Sequence, residues 1–361
     1  MRLFLKLGRY ALLAVLGLLV FAIVALVALR AWNQNAIAPR FAIDSAKGID
    51  ESGYVRIGGI EQWIQIRGQD RDNPVLLCVH GGPGGTWIPL TAHFIPWERH
   101  FTVVLWDQRG AGKTLRTTGA AIAQTMSVDR MTQDGIEVAE YLRAHLRKDK
   151  IVLLGHSWGS ILGVNMAKRR PDLFSAYVGT GQVSDLPNSI ATAYAGVLEE
   201  ARAAHDPATL QVLASIGPPP FDSREKIEGF FGSMDKYPPA SDRVAMELIG
   251  RKLMAPRPDY SLRDEFDRFR GFMTVPSLQV YNEMLATRLS ALGPRFELPV
   301  FFIQGSDDRL TQAAAAEEYF RTIDAPHKEM VRLEGGGHFA FLSMADKFLE
   351  ELVGRVRPIV Q

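Results

Sequence analysis

The hydrophobic pattern is most pronounced near the N-terminus, where residues 10–29 are twenty consecutive uncharged positions. An α-helix rises about 1.5 Å per residue, so this run is about 30 Å long, the thickness of the hydrocarbon core of a bilayer. A buried core helix is disfavoured because the run is apolar on every face and lies at a chain end. The pattern predicts an N-terminal transmembrane helix.

A cleaved signal peptide is the alternative interpretation of the same run. The apolar region of a signal peptide has about 7–15 residues, fewer than this run has. The nearby A-x-A pattern at 36–38 lies well past the run and is followed by Pro39, an unfavourable context for cleavage. We therefore expect an uncleaved anchor over residues 1–30, followed by a tether over 31–52.

Basic residues near this anchor indicate its orientation. Arg2, Lys6 and Arg9 crowd into the short segment before the apolar run, whereas the basic residues after it are more widely spaced. Short basic segments tend to stay on the cytoplasmic side of a membrane. We expect the remainder of the chain to be extracytoplasmic, in the periplasm of a bacterium.

From residue 53 onward the pattern predicts strands that later alternate with helices. Residues 53–58 and 60–66 alternate between apolar and polar side chains, as in a β-hairpin. Compact apolar runs, typical of strands buried in a parallel sheet, follow at 75–80, 101–106, 151–155, 176–179, 299–303 and 329–333. Helical stretches lie among them at 129–147, 158–169, 311–323 and 340–355. This alternation predicts an α/β fold with a mostly parallel, doubly wound sheet.

Residues 182–293 interrupt this alternation because they contain no clear buried strand. They hold amphipathic helical stretches that are punctuated by prolines, as at 217–220. A structureless loop of this length is implausible in a compact domain. We predict a helical cap over 182–293, inserted into an α/β core that comprises 53–181 and 294–361.

Composition and charge narrow the classes of function. The 361 residues carry 41 Lys and Arg against 40 Asp and Glu, and this net charge of +1 excludes a polybasic nucleic-acid binder. A single cysteine, Cys78, excludes an internal disulfide framework and a thiolate metal cluster. Residues 109–114 (RGAGKT) look like the end of a phosphate-binding loop, but that pattern requires glycine where Asp107 stands. The sequence predicts no cofactor and no metal, and it leaves the oligomeric state open.

A candidate nucleophile follows the apolar run at 151–155. The motif GHSWG at 155–159 stands between a predicted strand and a predicted helix. In such a strand–turn–helix the turn is so tight that small residues must flank the serine, whose hydroxyl is lifted clear of the sheet. The motif alone also fits an ordinary glycine-rich turn with a capping serine. Its context favours Ser157 as a nucleophile.

A serine nucleophile needs a base and an orienting carboxylate. His338 lies in GGGHF (335–339), directly after the last predicted strand, where three glycines let the backbone turn sharply. Asp307 and Asp308 follow the predicted strand at 299–303, and either carboxylate could orient the imidazole. We favour Asp308 because the acid in such loops commonly lies three residues after the glycine, here Gly305.

Acyl transfer also needs two N–H donors to the developing oxyanion. One is expected from the residue after the nucleophile, Trp158, and the other from the loop after an early strand. That loop reads HGGPG (80–84). We predict Gly82 as the second donor, since Pro83 has no N–H.

Together, the motifs HGGPG (80–84), WDQRGAGKT (106–114), GHSWGS (155–160), GSDD (305–308) and GGGHF (335–339) resemble those of the α/β-hydrolase superfamily. Within that superfamily the chain looks like the proline iminopeptidase-like serine hydrolases over residues 53–357. The resemblance implies a triad of Ser157, Asp308 and His338, and a helical cap after the sixth core strand. It implies a serine hydrolase that acts on a small molecule or short peptide, as an aminopeptidase, and the predicted N-terminal helix would anchor this enzyme to a membrane.

One departure from the family keeps other functions open. Residue 156 is His, where the peptidases usually carry a second glycine. Amine recognition by these peptidases implies carboxylates in the cap, and none of its acids stands in a recognisable context (Glu199, Glu200, Glu228, Glu247 and Glu283 among them). A carboxylesterase acting on small or lipid-derived esters is therefore the alternative. A non-catalytic binding protein on the same scaffold is a third hypothesis, disfavoured by the intact triad.

Overall fold

A β-sheet forms the centre of the predicted hydrolase domain. The computed structural model describes residues 2–254, 257–274 and 277–360. Over these residues, eight strands form one sheet in the order β1-β2-β4-β3-β5-β6-β7-β8. The pairs β1–β2 and β2–β4 are antiparallel, and the other neighbours are parallel. The strands are β1 Ile49–Ile57, β2 Ile60–Gly68, β3 Val75–Val79, β4 Thr102–Trp106, β5 Ile151–His156, β6 Phe174–Thr180, β7 Val300–Gly305 and β8 Lys328–Leu333. The predicted α/β class and mostly parallel sheet are confirmed.

Helices cover both faces of the sheet, which explains why its central strands are apolar at every position. Leu77 and Leu153 face one hydrophobic cluster, whereas their neighbours Leu76 and Leu154 face the other, as the alternation of a strand requires. All four side chains are buried. The C-terminal ends of these parallel strands meet at one edge, where ligands bind in open α/β sheets.

From β3 onward the helices alternate with the strands, except in one long stretch. Between β6 and β7 the described part of the chain forms six helices, α6–α11, and no strand. The ends of this insertion lie side by side, because the Leu186 N–H donates to the Thr287 carbonyl (3.0 Å) and the Leu289 N–H donates to the Ser184 carbonyl (2.8 Å). The helices are α1 Arg2–Ile37, α2 Thr91–Phe94, α3 Gly112–Thr118, α4 Val128–Leu146, α5 Trp158–Arg169, α6 Leu186–Ala203, α7 Pro207–Ile216, α8 Arg224–Met234, α9 Ala240–Met254, α10 Leu262–Thr274, α11 Leu278–Leu285, α12 Ala313–Thr322, α13 Ala340–Ser343, α14 Ala345–Glu351 and α15 Arg357–Val360.

The N-terminal helix α1 is longer than the predicted anchor. The segment Gly8–Phe41, which comprises most of α1 and the 3-10 turn after it, is long and apolar enough to cross a membrane. The helix continues to Ile37, and β1 begins at Ile49, so much of the expected tether over 31–52 is regular structure. Contacts with the domain explain the difference, since Gln34 Nε2 donates to the carbonyls of Arg257 (3.1 Å) and Tyr260 (3.0 Å).

The last predicted helix, 340–355, is interrupted in the structure. Met344 has φ −121° and ψ 43°, outside the helical region, and separates α13 from α14. Residues Leu352–Val356 then form a π-helix. The break lies a few residues after His338, where the chain turns back from the end of β8 onto the core.

Candidate active site

Ser157 lies on a sharp turn between β5 and α5. Its φ of 55° and ψ of −123° are strained for a residue with a side chain. Glycines make the turn possible: a Cβ on Gly155 would lie 2.6 Å from the Gly159 carbonyl oxygen, and one on Gly159 would overlap the backbone of Val79. The turn lifts the Ser157 hydroxyl above the carboxyl ends of the strands, as the motif predicts.

The structure brings Ser157, His338 and Asp308 into one line of hydrogen bonds. His338 Nε2 is 3.0 Å from Ser157 Oγ, and His338 Nδ1 is 2.9 Å from Asp308 Oδ2. Asp308 is buried, and its carboxylate also accepts hydrogen bonds from Thr311 and from Gln304 Nε2 (3.1 Å). Asp307 is exposed, and its carboxylate accepts a hydrogen bond from the Ser306 hydroxyl (2.6 Å). Of the two candidate acids, Asp308 is the one that reaches the imidazole.

The charges of His338 and Asp308 stabilise each other. Burial by itself lowers the pKa of His338, but the charge of Asp308, the hydrogen bond to it and the charge of Asp242 together raise that pKa above its ordinary value. Burial by itself raises the pKa of Asp308, but the charge and hydrogen bond of His338 and the bonds from Thr311 hold it below its ordinary range. Asp308 is therefore ionised, and the imidazole is primed to take up a proton.

Two residues that the sequence analysis did not assign hold the loop of His338. The Asp242 carboxylate, on α9, accepts hydrogen bonds from the backbone N–H groups of His338 and Phe339, both at 3.1 Å. On the other side, His156 Nε2–H donates to the carbonyl of His338 at 2.9 Å. Burial, together with the nearby charge of His338, lowers the pKa of His156 to about 3, so this ring is neutral and structural. These contacts give a structural role to the histidine that departs from the family pattern.

The predicted oxyanion donors, Gly82 and Trp158, line the same cavity as Ser157. Trp158 is the first residue of α5, so its backbone N–H has no acceptor within the helix. Its indole Nε1–H donates to Gln108 Oε1 at 3.0 Å, which fixes the side chain beneath the site. Gly82 has φ 148°, and a Cβ there would lie 2.8 Å from the backbone nitrogen of Gly84. Only glycine fits this position without displacing the loop.

Helices of the insertion roof a cavity of about 580 Å³ above Ser157. Most of its wall is apolar, with contributions from Leu90, Val183, Leu186, Ile190, Phe231 and Met284. Among the described residues, four charged side chains also line it: Arg224, Glu228, Asp235 and Arg268. Within the described ranges, no group of three or more His, Cys, Asp or Glu side chains is arranged to hold a metal ion.

The acids of the insertion differ in their surroundings. Glu228 lines the cavity but is paired with Arg224 at 2.7 Å. Glu200 pairs with Arg309, and the Glu283 carboxylate accepts from a backbone N–H at the start of α4. Asp235, which the sequence analysis did not single out, has an exposed side chain at the cavity wall, forms no ion pair with any described residue, and has a pKa that partial desolvation raises.

Comparison with known proteins identifies the family of this chain and several relatives named as peptidases. The family described as alpha/beta hydrolase fold matches residues 74–344. A probable aminopeptidase of Bacillus subtilis, YbaC, is 30% identical over 334 residues, which cover 87% of this chain and 99% of that protein. A proline iminopeptidase of Saccharolobus solfataricus is 24% identical over 83% of this chain and 90% of its own length. In fold, the chain is similar to the proline iminopeptidase-related protein TTHA1809 from Thermus thermophilus, with TM-score 0.62 and 20% identity over 86% of this chain and 99% of that one.

Proposed function

Because the chain belongs to the alpha/beta hydrolase fold family, as a proline iminopeptidase-like hydrolase, we propose that it is a membrane-anchored serine hydrolase of aminopeptidase type. The observation that carries the proposal is the line of hydrogen bonds from Ser157 Oγ through His338 to Asp308. A serine at a strained turn, a base within 3.0 Å and a buried acid behind the base are the components of covalent acyl transfer.

In the proposed mechanism, Ser157 Oγ attacks the substrate carbonyl while His338 Nε2 takes its proton. Asp308 holds the Nδ1–H tautomer and stabilises the imidazolium that forms. The tetrahedral intermediate collapses, His338 protonates the leaving group, and an acyl-enzyme remains on Ser157. Water, activated by His338, then hydrolyses this ester.

The backbone N–H groups of Trp158 and Gly82 are the proposed donors to the oxyanion of both tetrahedral intermediates. One such donor contributes about 10²–10³-fold to kcat in a serine protease. The glycine requirement at residue 82 and the free helix N-terminus at residue 158 support this assignment.

Asp235 is the proposed recognition group for the amine of an N-terminal Pro or small residue. Its carboxylate lines the cavity above Ser157 and has no ion-pair partner among the described residues. A cationic amine beside it would favour the ionised form and offset the rise in pKa that partial desolvation causes. The other acid of the wall, Glu228, is already paired with Arg224.

Two substrate classes that both acylate Ser157, one with a free amine and one without, test this assignment. We would compare hydrolysis of amino-acyl arylamides with hydrolysis of short p-nitrophenyl esters by the wild type and the Asp235→Asn variant. The control is Asp222→Asn, an equal change at an exposed acid that does not line the cavity. Amine recognition predicts a selective rise in KM for the arylamides in Asp235→Asn alone. Equal effects on both substrates would contradict it.

A carboxylesterase is the second candidate, favoured by the apolar character of most of the cavity wall. An acyl pocket needs apolar walls and no amine-binding carboxylate. Turnover of esters, with none of amino-acyl arylamides, would establish this alternative. Absence of both activities, together with an unreactive Ser157, would instead indicate a non-catalytic binding protein.

The proposed anchor is α1, with the hydrolase domain on the extracytoplasmic side. Within the segment Gly8–Phe41, the most apolar window of 18 residues is entirely unburied, and the basic residues that precede position 10 favour a cytoplasmic N-terminus. The full chain should stay with membranes through high-salt and carbonate washes and be released by detergent. A mature chain that starts near residue 39 in the soluble fraction would show that the segment is a signal peptide. Protease protection in spheroplasts tests the orientation.

A further inference from the structure

Helix α10 of the insertion has a polar face toward the core and an apolar face toward the outside, which is the reverse of an ordinary surface helix. The face toward the core carries Asp264 and Asp267, which are buried and form ion pairs with Arg116 of α3. The helix approaches the core closely there, since a Cβ on Gly271 would lie 2.9 Å from the Gly84 carbonyl oxygen. The polar side chains of this face are therefore fixed in the interior.

The outward face of α10 carries large apolar side chains. Leu262, Phe266, Phe269 and Met273 are 52%, 53%, 54% and 46% exposed. Their spacing of four, three and four residues places them in one stripe along the helix. Scattered exposed apolar residues are ordinary, but a contiguous stripe marks a surface that is covered by something else. We call these four residues the α10 stripe.

The α10 stripe begins close to the residues of α1 that directly follow the uncharged run 10–29. Arg30 donates to the carbonyl of Tyr260 at 3.0 Å, and Gln34 donates to the same carbonyl, two residues before α10 begins. Trp32, between these contacts, is 70% exposed. Tryptophan is enriched at the level where a transmembrane helix meets the headgroups. The start of α10 is thus held at the proposed membrane surface.

The charges that accompany the α10 stripe suit a headgroup layer. The guanidinium carbons of Arg263 and Arg270 each lie 5.7 Å from the centre of the Phe266 ring. Arg263 is 60% exposed, whereas the acids Asp264 and Asp267 of the same helix are turned inward. Aromatic and aliphatic side chains flanked by arginine are the composition of helices that lie in a membrane interface.

We propose that the α10 stripe lies in the headgroup–acyl boundary of the bilayer in which α1 is anchored. This inference rests on the proposed membrane anchor and adds a second contact to it. Met273 is both the end of the stripe and part of the cavity wall, and Arg268 of α10 lines the same cavity. The part of the cavity wall that Met273 forms would therefore lie at the membrane surface, where amphipathic substrates with an apolar portion are concentrated.

Single-cysteine labelling of the full chain tests the proposal. Cys78 is the only cysteine and is buried, so cysteines introduced as Phe266→Cys or Phe269→Cys can be labelled selectively with a fluorophore. The labelled protein is reconstituted into vesicles of anionic phospholipid with brominated acyl chains, which quench fluorophores within the bilayer. The control is Asp149→Cys, an exposed position in the loop before β5. This loop lies at the amino end of that strand, opposite the carboxyl ends at which the candidate site lies. Labelling of Ser157 by a fluorophosphonate verifies that each variant is folded.

An interfacial helix is immersed by about 5–10 Å, so we expect emission from both α10 labels to fall about twofold while the control label is unaffected. Unquenched α10 labels on protein that floats with the vesicles and resists carbonate would overturn the inference and leave the anchor intact. Protein that does not float would overturn both. Quenching or burial of the labels that appears only at a high protein-to-lipid ratio would show that a second copy covers the stripe, which also contradicts the proposal.

Discussion

The carboxylate of Asp242, on helix α9, accepts a hydrogen bond from the backbone N–H of His338 at 3.1 Å. This contact joins the helical insertion to the loop of the proposed catalytic base. The second carboxylate oxygen of Asp242 accepts a hydrogen bond from the N–H of Phe339, so one side chain of the insertion satisfies two backbone donors of that loop. The insertion therefore roofs the cavity and also helps to position the imidazole.

Substitution of Asp242 measures this positioning role. Asp242→Ala leaves two backbone donors without their acceptor, and a buried unsatisfied donor costs about 1–3 kcal/mol. We expect kcat/KM to fall about 10–100-fold, since about 1.4 kcal/mol corresponds to a factor of ten. Asp242→Asn keeps the shape but removes the charge that raises the pKa of His338. A purely structural role would leave the pH profile of Asp242→Asn unchanged, and Asp222→Asn serves as the control.

The pH dependence of the wild type follows from the pKa of His338. Only the neutral imidazole can take the Ser157 proton, so kcat/KM should rise with pH and level off above the His338 pKa. That pKa is raised, so the limb should lie above about 6.5, the ordinary histidine value. Burial lowers the pKa of His80 to about 4 and that of His156 to about 3, so neither ring contributes to the limb. A limb below the ordinary value would show that His338 is not the base.

The two neighbouring aspartates give a matched pair of substitutions. Asp308→Asn should lower kcat by about 10⁴-fold, because the amide favours the wrong imidazole tautomer, as in the corresponding protease variant. Asp307→Asn should have little effect, since that carboxylate is exposed and bonded to Ser306. Steady-state kinetics of both variants show which aspartate orients the imidazole. A larger loss of kcat in Asp307→Asn than in Asp308→Asn would assign the orienting role to Asp307.

Two glycine substitutions test whether the turn at Ser157 depends on close backbone packing. In Gly159→Ala, the new Cβ would lie 2.7 Å from the His80 carbonyl oxygen and overlap the backbone of Val79. Overpacking costs about 1–3 kcal/mol, so Tm should fall and labelling of Ser157 should weaken. Gly196→Ala, in the exposed interior of α6, has nothing within 4 Å of the new Cβ. That variant should gain about 0.5–1 kcal/mol, the usual difference between alanine and glycine in a helix. Equal Tm shifts would contradict the packing argument.

Local sequence signals were sufficient for the sheet and for the residues that follow its strands. The runs at 75–80 and 151–155 identified β3 and β5 within a residue, because strands buried on both faces are apolar throughout. The same strand ends located Ser157, His338 and Asp308, whose catalytic roles remain predictions.

Contacts between distant parts of the chain could not be predicted. Asp242 is 96 residues from His338, and no local pattern links a helix of the insertion to that loop. The continuation of α1 beyond residue 30 depends in the same way on contacts with Tyr260. An amphipathic pattern such as that of α10 predicts an apolar face toward the core, whereas the ion pairs of Asp264 and Asp267 with Arg116 turn that helix the other way.

Identification of the residue that a fluorophosphonate modifies tests the central claim most directly. The detergent-solubilised full chain is treated with the probe, digested and analysed by mass spectrometry, in parallel with Ser157→Ala. We predict a single adduct on Ser157, no adduct in the variant, and an activity loss of about 10⁴–10⁶-fold with an unchanged Tm. An adduct on another serine, or labelling that survives the substitution, would contradict the assignment of Ser157 as the nucleophile.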